Sequence, residues 1–248
     1  MKCVVLAAGY ATRLYPLTEN YPKPLLEIGS KPIINWLLED IGATGMVDEF
    51  IVVSNHKYAT NYNEWAKTVP YPVLILDDGS TTNDTRLGAV RDIFFAIDKQ
   101  NIKGDILVIA EDTLLDFSLS GFIGYAQKKA ATCVMRYYEE SMTILKKCGV
   151  AQVDEDDRIT DMVEKPSQPA SNWAVTPFYY YKESDHERIF EAIEDGCSVD
   201  APGSYVAWLS KKVPVYAMEM PGRRYDIGDW ESYKIAQTEY IGFKGTDV

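Results

Sequence analysis

The chain reads as an α/β protein, a doubly wound sheet with helices on both faces. Three observations predict this. Short apolar runs rich in Val, Ile and Leu occupy residues 50–54, 73–76 and 106–110, the composition of buried parallel strands. Between them, residues 31–43, 60–67 and 87–98 carry apolar side chains at helical spacing. The first apolar run, 4–8, breaks into a turn of small residues ending on Arg13. That order puts the turn at the carboxyl end of a strand, where open α/β sheets bind ligands.

The elements follow in sequence. Pro32 suits the first residue of the helix over 31–43, because its fixed φ and missing N–H cost nothing there. After Asp116 the pattern loosens. Ser118 can cap a helix reaching about Ala130, and 131–138 reads as a strand. Residues 149–153 and 158–163 flank the acidic turn Asp154-Glu155-Asp156-Asp157 and predict a surface hairpin. Residues 174–181 form a strand heavy in aromatics, of which one face belongs to the core. Helices fit 185–195, 203–211 and 230–240, with late strands at 213–217 and 224–227. No low-complexity linker or internal repeat interrupts the 248 residues. The expected organisation is one domain over 1–248, with a nucleotide-binding half (about 1–116) and an acceptor-binding half (about 117–248).

Composition narrows the function. A net charge of −12 argues against nucleic acid or an anionic membrane as partner. A small anionic ligand remains compatible, provided local cations overcome the background. The run 4–8 is too short for a signal peptide, and no stretch is apolar enough to span a bilayer. Cys3, Cys133, Cys148 and Cys197 lie far apart without a CxxC pair, which predicts free thiols in a reducing cytoplasm. Only His56 and His186 could join them at zinc, and both read as surface residues.

The chemistry concentrates at the start. Leu6-Ala7-Ala8-Gly9-Tyr10-Ala11-Thr12-Arg13 is a small-residue loop ending on a cation, and Tyr21-Pro22-Lys23-Pro24-Leu25-Leu26 holds a lysine between prolines. Small residues let backbone N–H groups approach a phosphate, and the two cations neutralise it. The prolines restrict the backbone around Lys23 and give it a rigid mount. The loop lacks the Gly-Lys-Ser/Thr ending of a Walker A motif and is not GxGxxG.

These two segments resemble the signature of the sugar-phosphate nucleotidyltransferases, the nucleoside-diphosphate-sugar pyrophosphorylases, on the glucose-1-phosphate thymidylyltransferase side. Further matches follow in the family's order. Asn83 and Gly88 are spaced like its base-reading pair, and Asp112 stands after a strand like its metal-binding aspartate. Glu164-Lys165-Pro166 resembles its sugar- and phosphate-contacting element, and 171–176 the segment beside the sugar. Tyr225-Asp226-Ile227-Gly228-Asp229 resembles the element with the second metal-binding aspartate. The resemblance implies a three-layer αβα, Rossmann-like fold with a mixed, mostly parallel sheet. It implies Arg13 and Lys23 as catalytic cations. Leu6, Ala7, Ala8, Gly9, Asn83 and Gly88 would contact the nucleotide, and Gly149, Glu164, Lys165, Asn172 and Thr176 the acceptor. Asp112 and Asp226 would hold Mg2+.

Several positions depart from the pattern. Ala11 replaces a loop glycine, and Glu111 stands where a glycine precedes the metal aspartate, adding charge there. Cys148 replaces a frequent tyrosine, Pro177 a glycine, and Asn83 a glutamine. The implied reaction joins a nucleoside triphosphate to a sugar phosphate, or a similar phosphorylated small molecule, with release of pyrophosphate, and is compatible with a homo-oligomer. Two other readings fit the departures: a cytidylyltransferase acting on phosphocholine or a polyol phosphate, and a non-catalytic subunit that senses a nucleotide sugar.

Overall fold

The computed structural model describes residues 1–243. The chain divides into two compact units that are not consecutive halves. The first comprises Met1–Arg86, Ala110–Ser120 and the chain from Pro221 on; the second comprises Leu87–Ile109 and Gly121–Met220.

In the first unit, strands Lys2–Ala7, Glu49–Ser54 and Val73–Asp77 run parallel, with Ala7 opposite Ser54 and Ser54 opposite Asp77. Val4, Val5, Ile51, Val52 and Val53 are fully buried, as expected of strands covered on both faces. Val73–Asp77 is the exception: its residues are half-buried or exposed, so it is not the buried strand its composition suggests. The helix Ile33–Ala43 buries Ile33, Ile34, Leu37, Leu38 and Ile41, one face at helical spacing. Pro32 caps this helix from an extended conformation instead of opening it, because Lys31–Pro32 first pairs with Glu27–Ile28. The strand Thr113–Leu115 was not apparent in the sequence. It pairs antiparallel with Arg224–Asp226 and sets Asp226 opposite Thr113. Beneath the ribbon, Leu14, Ile28, Ile33, Leu114, Ile227, Tyr233, Ala236 and Tyr240 form one apolar cluster.

In the second unit the strand Trp173–Tyr181 runs antiparallel to Ile106–Ala110, Thr132–Tyr138 and Gly149–Val153. Ile106–Ala110, expected to have parallel neighbours, thus has an antiparallel one here. Thr132–Tyr138 pairs in parallel with Val215–Glu219, and Gly149–Val153 makes the expected hairpin with Ile159–Glu164. Pro177 lies where the register shifts between Val175 and Tyr179, a place where its missing N–H breaks no ladder bond. Phe178, Tyr179, Tyr180 and Tyr181 are all buried, so both faces of this strand are covered. The helix expected over 185–195 is two short helices, Glu183–His186 and Ile189–Glu194. His186, expected at the surface, is fully buried and meets the Gly104 carbonyl through Nε2 at 2.9 Å. Ser118 Oγ accepts from Ser120 N at the start of the helix Ser120–Lys129. All four cysteines are free thiols, and among the described residues no helix is long and apolar enough to cross a membrane.

Candidate active site

The strand Lys2–Ala7 delivers Leu6, Ala7 and Ala8 to its carboxyl end, all three buried, and Gly9 emerges into solvent. The carbonyls of the loop are held by protein. Ala8 O and Gly9 O accept from Asn55 Nδ2 at 3.1 and 3.3 Å. Tyr10 O lies 3.4 Å from the Tyr58 hydroxyl, and Ala11 O accepts from Leu14 N and Thr18 Oγ1. A trans peptide points its N–H away from its C=O. Oxygens turned into the protein therefore turn the N–H groups of Gly9, Tyr10, Ala11 and Thr12 the other way. Ala11, at the family's glycine position, has φ +45° and ψ +41°. The left-handed backbone explains why a glycine suits this place, and Ala carries a strain there of about 1 kcal/mol.

Lys23 is buried after Pro22, which is extended, and at the start of the 3-10 turn Lys23–Leu25. Its Nζ donates to Asp112 Oδ2 at 2.7 Å and to the Ile227 carbonyl at 2.9 Å. Burial alone would lower its pKa, but Asp112, Glu111 and Asp226 outweigh that and raise it, so the lysine stays charged. Asp112 is crowded too, yet the Lys23 ammonium holds it below the usual carboxylate range. The ribbon fixes the second acid: Ile227 N donates to Asp112 O at 2.9 Å, next to Asp226. Asp226 reaches solvent, but surrounding protein and the charge of Asp112 raise its pKa. Arg13 is exposed, and a methyl added at Gly228 would stand 3.6 Å from both terminal guanidinium nitrogens. Its charge is felt by Asp226 and Asp229. The structure thus brings Arg13, Lys23, Asp112 and Asp226 together within the first unit.

Glu111, the acid next to Asp112, is set inside the protein. It is buried, with Oε1 3.8 Å from where a Cβ on Gly9 would lie. Burial first, and then Asp112 and Asp226, push its pKa up to about 8 against the pull of Lys23.

The donor set suits a hard divalent ion. The charge of Asp112 raises the pKa of Asp226, so the two carboxylates repel, and that repulsion is what a cation relieves; magnesium is commonly held by one or two carboxylates plus substrate phosphates. Among the described residues no group of three or more His, Cys, Asp or Glu gathers at a metal-binding distance, so substrate oxygens would have to supply the rest.

Asn83 sits on an exposed 3-10 turn, where its Oδ1 accepts from Arg86 Nη1 at 3.0 Å. Gly88, in the second unit, has φ +92° and caps the helix Ala89–Gln100. A Cβ there would lie 2.5 Å from the Val199 carbonyl, a packing reason for glycine besides any contact with a base.

The second unit also holds a cavity of about 500 Å³ lined by Glu164, Lys165, Cys197, Asp200 and Trp208 among others. The Glu164 carboxyl lies against Gly149, where a Cβ would stand 2.8 Å from Oε2, and against Gly203. Burial pushes its pKa up to about 7, with Lys165 opposing and Asp200 adding to the rise. Lys165 pairs with Asp200 at 3.3 Å and not with its neighbour Glu164. Its φ of +48° is a strained conformation for a lysine, of the kind that gathers at functional sites. Asn172 and Thr176 are directed at protein: Asn172 Nδ2 donates to Glu139 O at 2.7 Å, and the fully buried Thr176 hydroxyl to Met135 O at 3.2 Å. Sequence reasoning missed Asn55, Gly203 and the Ile227 carbonyl. Of these only Asn55 left a signal, a polar residue directly after an apolar strand.

A family model described as nucleotidyl transferase matches residues 2–241. The chain belongs to the nucleotidyl transferase family. It is 28% identical over 194 residues to the glucose-1-phosphate thymidylyltransferase of Xanthomonas campestris pv. campestris, an alignment covering 75% of this chain and 62% of that protein. It is 26% identical over 243 residues to the mannose-1-phosphate guanylyltransferase catalytic subunit beta of Drosophila pseudoobscura pseudoobscura, covering 97% and 62%. The chain thus spans less than two thirds of the length of these curated relatives. Among solved structures, a UDP-glucose pyrophosphorylase complexed with UDP-glucose superimposes with a TM-score of 0.80 at 23% identity, covering 96% of this chain and 97% of that one. This likeness bears out the expected fold, a mixed, mostly parallel sheet with flanking helices.

Proposed function

We propose that this protein is a nucleotidyltransferase that joins a nucleoside triphosphate to a sugar phosphate and releases pyrophosphate, giving an activated nucleoside-diphosphate sugar. The observation that carries the reading is the buried Lys23 ammonium, tied to Asp112 and to the Ile227 carbonyl beside Asp226, with Arg13 standing at Gly228. Relatives named for thymidylyl and guanylyl transfer support the reaction type and leave the base to be assayed.

The chemistry needs charge control more than proton transfer. A phosphate monoester with a second pKa near 6 is already a nucleophile at neutral pH. Its oxygen attacks the α-phosphorus in line, and the bond to pyrophosphate breaks. Positioning and electrostatics supply most of the acceleration. The N–H groups of Gly9 to Thr12 would receive phosphate oxygens. Arg13 would neutralise the β- and γ-phosphates, and Lys23 the α-phosphate as negative charge builds. Glu164 would accept from acceptor hydroxyls, and Lys165 would hold the acceptor phosphate. A divalent ion held by Asp112 and Asp226 would, when bound, neutralise phosphate charge. Asn83 and Gly88 would read the base.

One observation weighs against phosphocholine as acceptor. A quaternary ammonium wants free aromatic faces. Trp208, the aromatic of the cavity, is stacked by Tyr205 at 6.0 Å and already faces the cations of Arg188 and Lys212 at 5.4 and 5.0 Å.

The test is pyrophosphate release from dTTP, UTP, CTP, GTP and ATP, each with glucose 1-phosphate, mannose 1-phosphate and phosphocholine. Release with a hexose 1-phosphate, lost by at least about a hundredfold in a folded Lys23→Met variant, is expected. A folded wild type that releases nothing with any pair overturns the reading.

A further inference from the structure

The geometry points to Asn55 as the positioning residue that presents the phosphate-binding amides of the N-terminal loop. This rests on the nucleotidyltransferase reading and adds a residue that the sequence motifs do not contain. Asn55 follows the strand Glu49–Ser54, whose register sets Ser54 beside Ala7 and so brings Asn55 alongside Ala8. It is fully buried.

Its side chain is spent on a single task. The two N–H groups of Nδ2 go to the carbonyls of Ala8 and Gly9, at 3.1 and 3.3 Å. Oδ1 accepts from Tyr58 N at 3.1 Å, which seats the tyrosine whose single hydroxyl proton goes to Thr18 O at 2.5 Å, with Tyr10 O farther off at 3.4 Å. One amide thus orients two consecutive peptide planes directly. Each plane turned with its oxygen inward presents its N–H outward, so the N–H groups of Gly9 and Tyr10 owe their direction to Asn55. Only a primary amide supplies two donors and an acceptor from one short side chain. Gly9, with no Cβ, leaves the backbone permissive at that point, and Asn55 chooses the orientation of the peptides on either side of it. With Asn55 in place the donors face the phosphates before substrate arrives, and no reorganisation is needed at the moment of reaction.

The experiment uses the full chain with Asn55→Ala and the isosteric Asn55→Asp, which has no donors. Thr132→Val serves as a control, since it loses a buried hydroxyl bond in the second unit, to Asp185. Binding of inorganic tripolyphosphate and of each nucleoside triphosphate is measured by calorimetry with MgCl2, alongside KM for both substrates and the melting temperature. The expected result is a loss of triphosphate affinity and a rise in its KM on the order of tenfold or more in both Asn55 variants, with acceptor KM within about twofold. The control should lose comparable melting temperature with triphosphate KM unchanged. Equal triphosphate affinity in wild type and variants overturns the proposal while leaving the function standing. A wild type that binds no triphosphate removes the function and this proposal together. Should neither variant fold, amide spectra of the wild type decide: tripolyphosphate must shift the Gly9 and Tyr10 N–H resonances, and their indifference overturns the assignment.

Discussion

Replacing Glu164 by Gln should change how stability depends on pH. The wild-type carboxyl lies against Gly149 and Gly203, and burial lifts its pKa from an ordinary 4.5 to about 7. The folded chain therefore holds a proton that the unfolded chain has released. Where the native state binds more protons, stability falls as pH rises. Below about 4.5 both states are protonated and the residue contributes nothing. Between 4.5 and about 7 the penalty grows, and above that it stays constant. The gap of about 2.5 pH units at ~1.36 kcal/mol each sets a ceiling of roughly 3 kcal/mol. The carboxyl keeps partial access to solvent, so about 1–2 kcal/mol is the expected size. A neutral isostere removes the term. Urea unfolding of wild type and Glu164→Gln from pH 4.5 to 8 should give curves that diverge with rising pH, the variant gaining. Parallel curves, or a variant that loses ground as pH rises, would refute the claim that Glu164 is held in a desolvated seat.

Other perturbations test other parts. Ala11→Gly relieves a left-handed alanine but adds unfolded-state entropy, so a net gain of about 0.5 kcal/mol in urea unfolding is expected. Gly88→Ala places a Cβ against the Val199 carbonyl at positive φ and should lower stability by about 2 kcal/mol or more; an unchanged melting curve would contradict that close approach. Asp226→Asn removes a charge that opposes Asp112, so the metal-free protein should become more resistant to urea while Mn2+ affinity, followed by electron paramagnetic resonance, drops about tenfold or more. A titration identical to wild type would remove Asp226 as a ligand.

Much of this site could be read from the chain because its parts are local and chemically distinctive. Arg13 closes a small-residue loop, Lys23 stands between two prolines, and Asp112 follows an apolar run. What joins them is not local. Nothing in the composition of 113–115 announces a strand, since its partner Arg224–Asp226 lies over a hundred residues away. Contact between distant segments also decided that His186 would be buried against Gly104, while a short local ribbon made Pro32 cap its helix from an extended conformation. Burial escaped the sequence too. Glu111 stands in the chain as an added acid, and only its burial beside Asp112 shows that its carboxyl is hard to ionise. For Asn172 and Thr176 the residue types suited a sugar, while their hydrogen bonds go to the backbone carbonyls of Glu139 and Met135.

The bond from Lys23 to the Ile227 carbonyl spans 204 residues. The loop that carries the cations and the segment that seats Lys23 therefore meet only when the first unit folds around both. Until they meet, Lys23 has no Ile227 carbonyl to fix its height and Asp112 lacks Asp226 near it. A chain without the later segment would carry the cations but not the assembled centre. Competence for chemistry thereby depends on long-range folding and belongs to no single stretch of the chain.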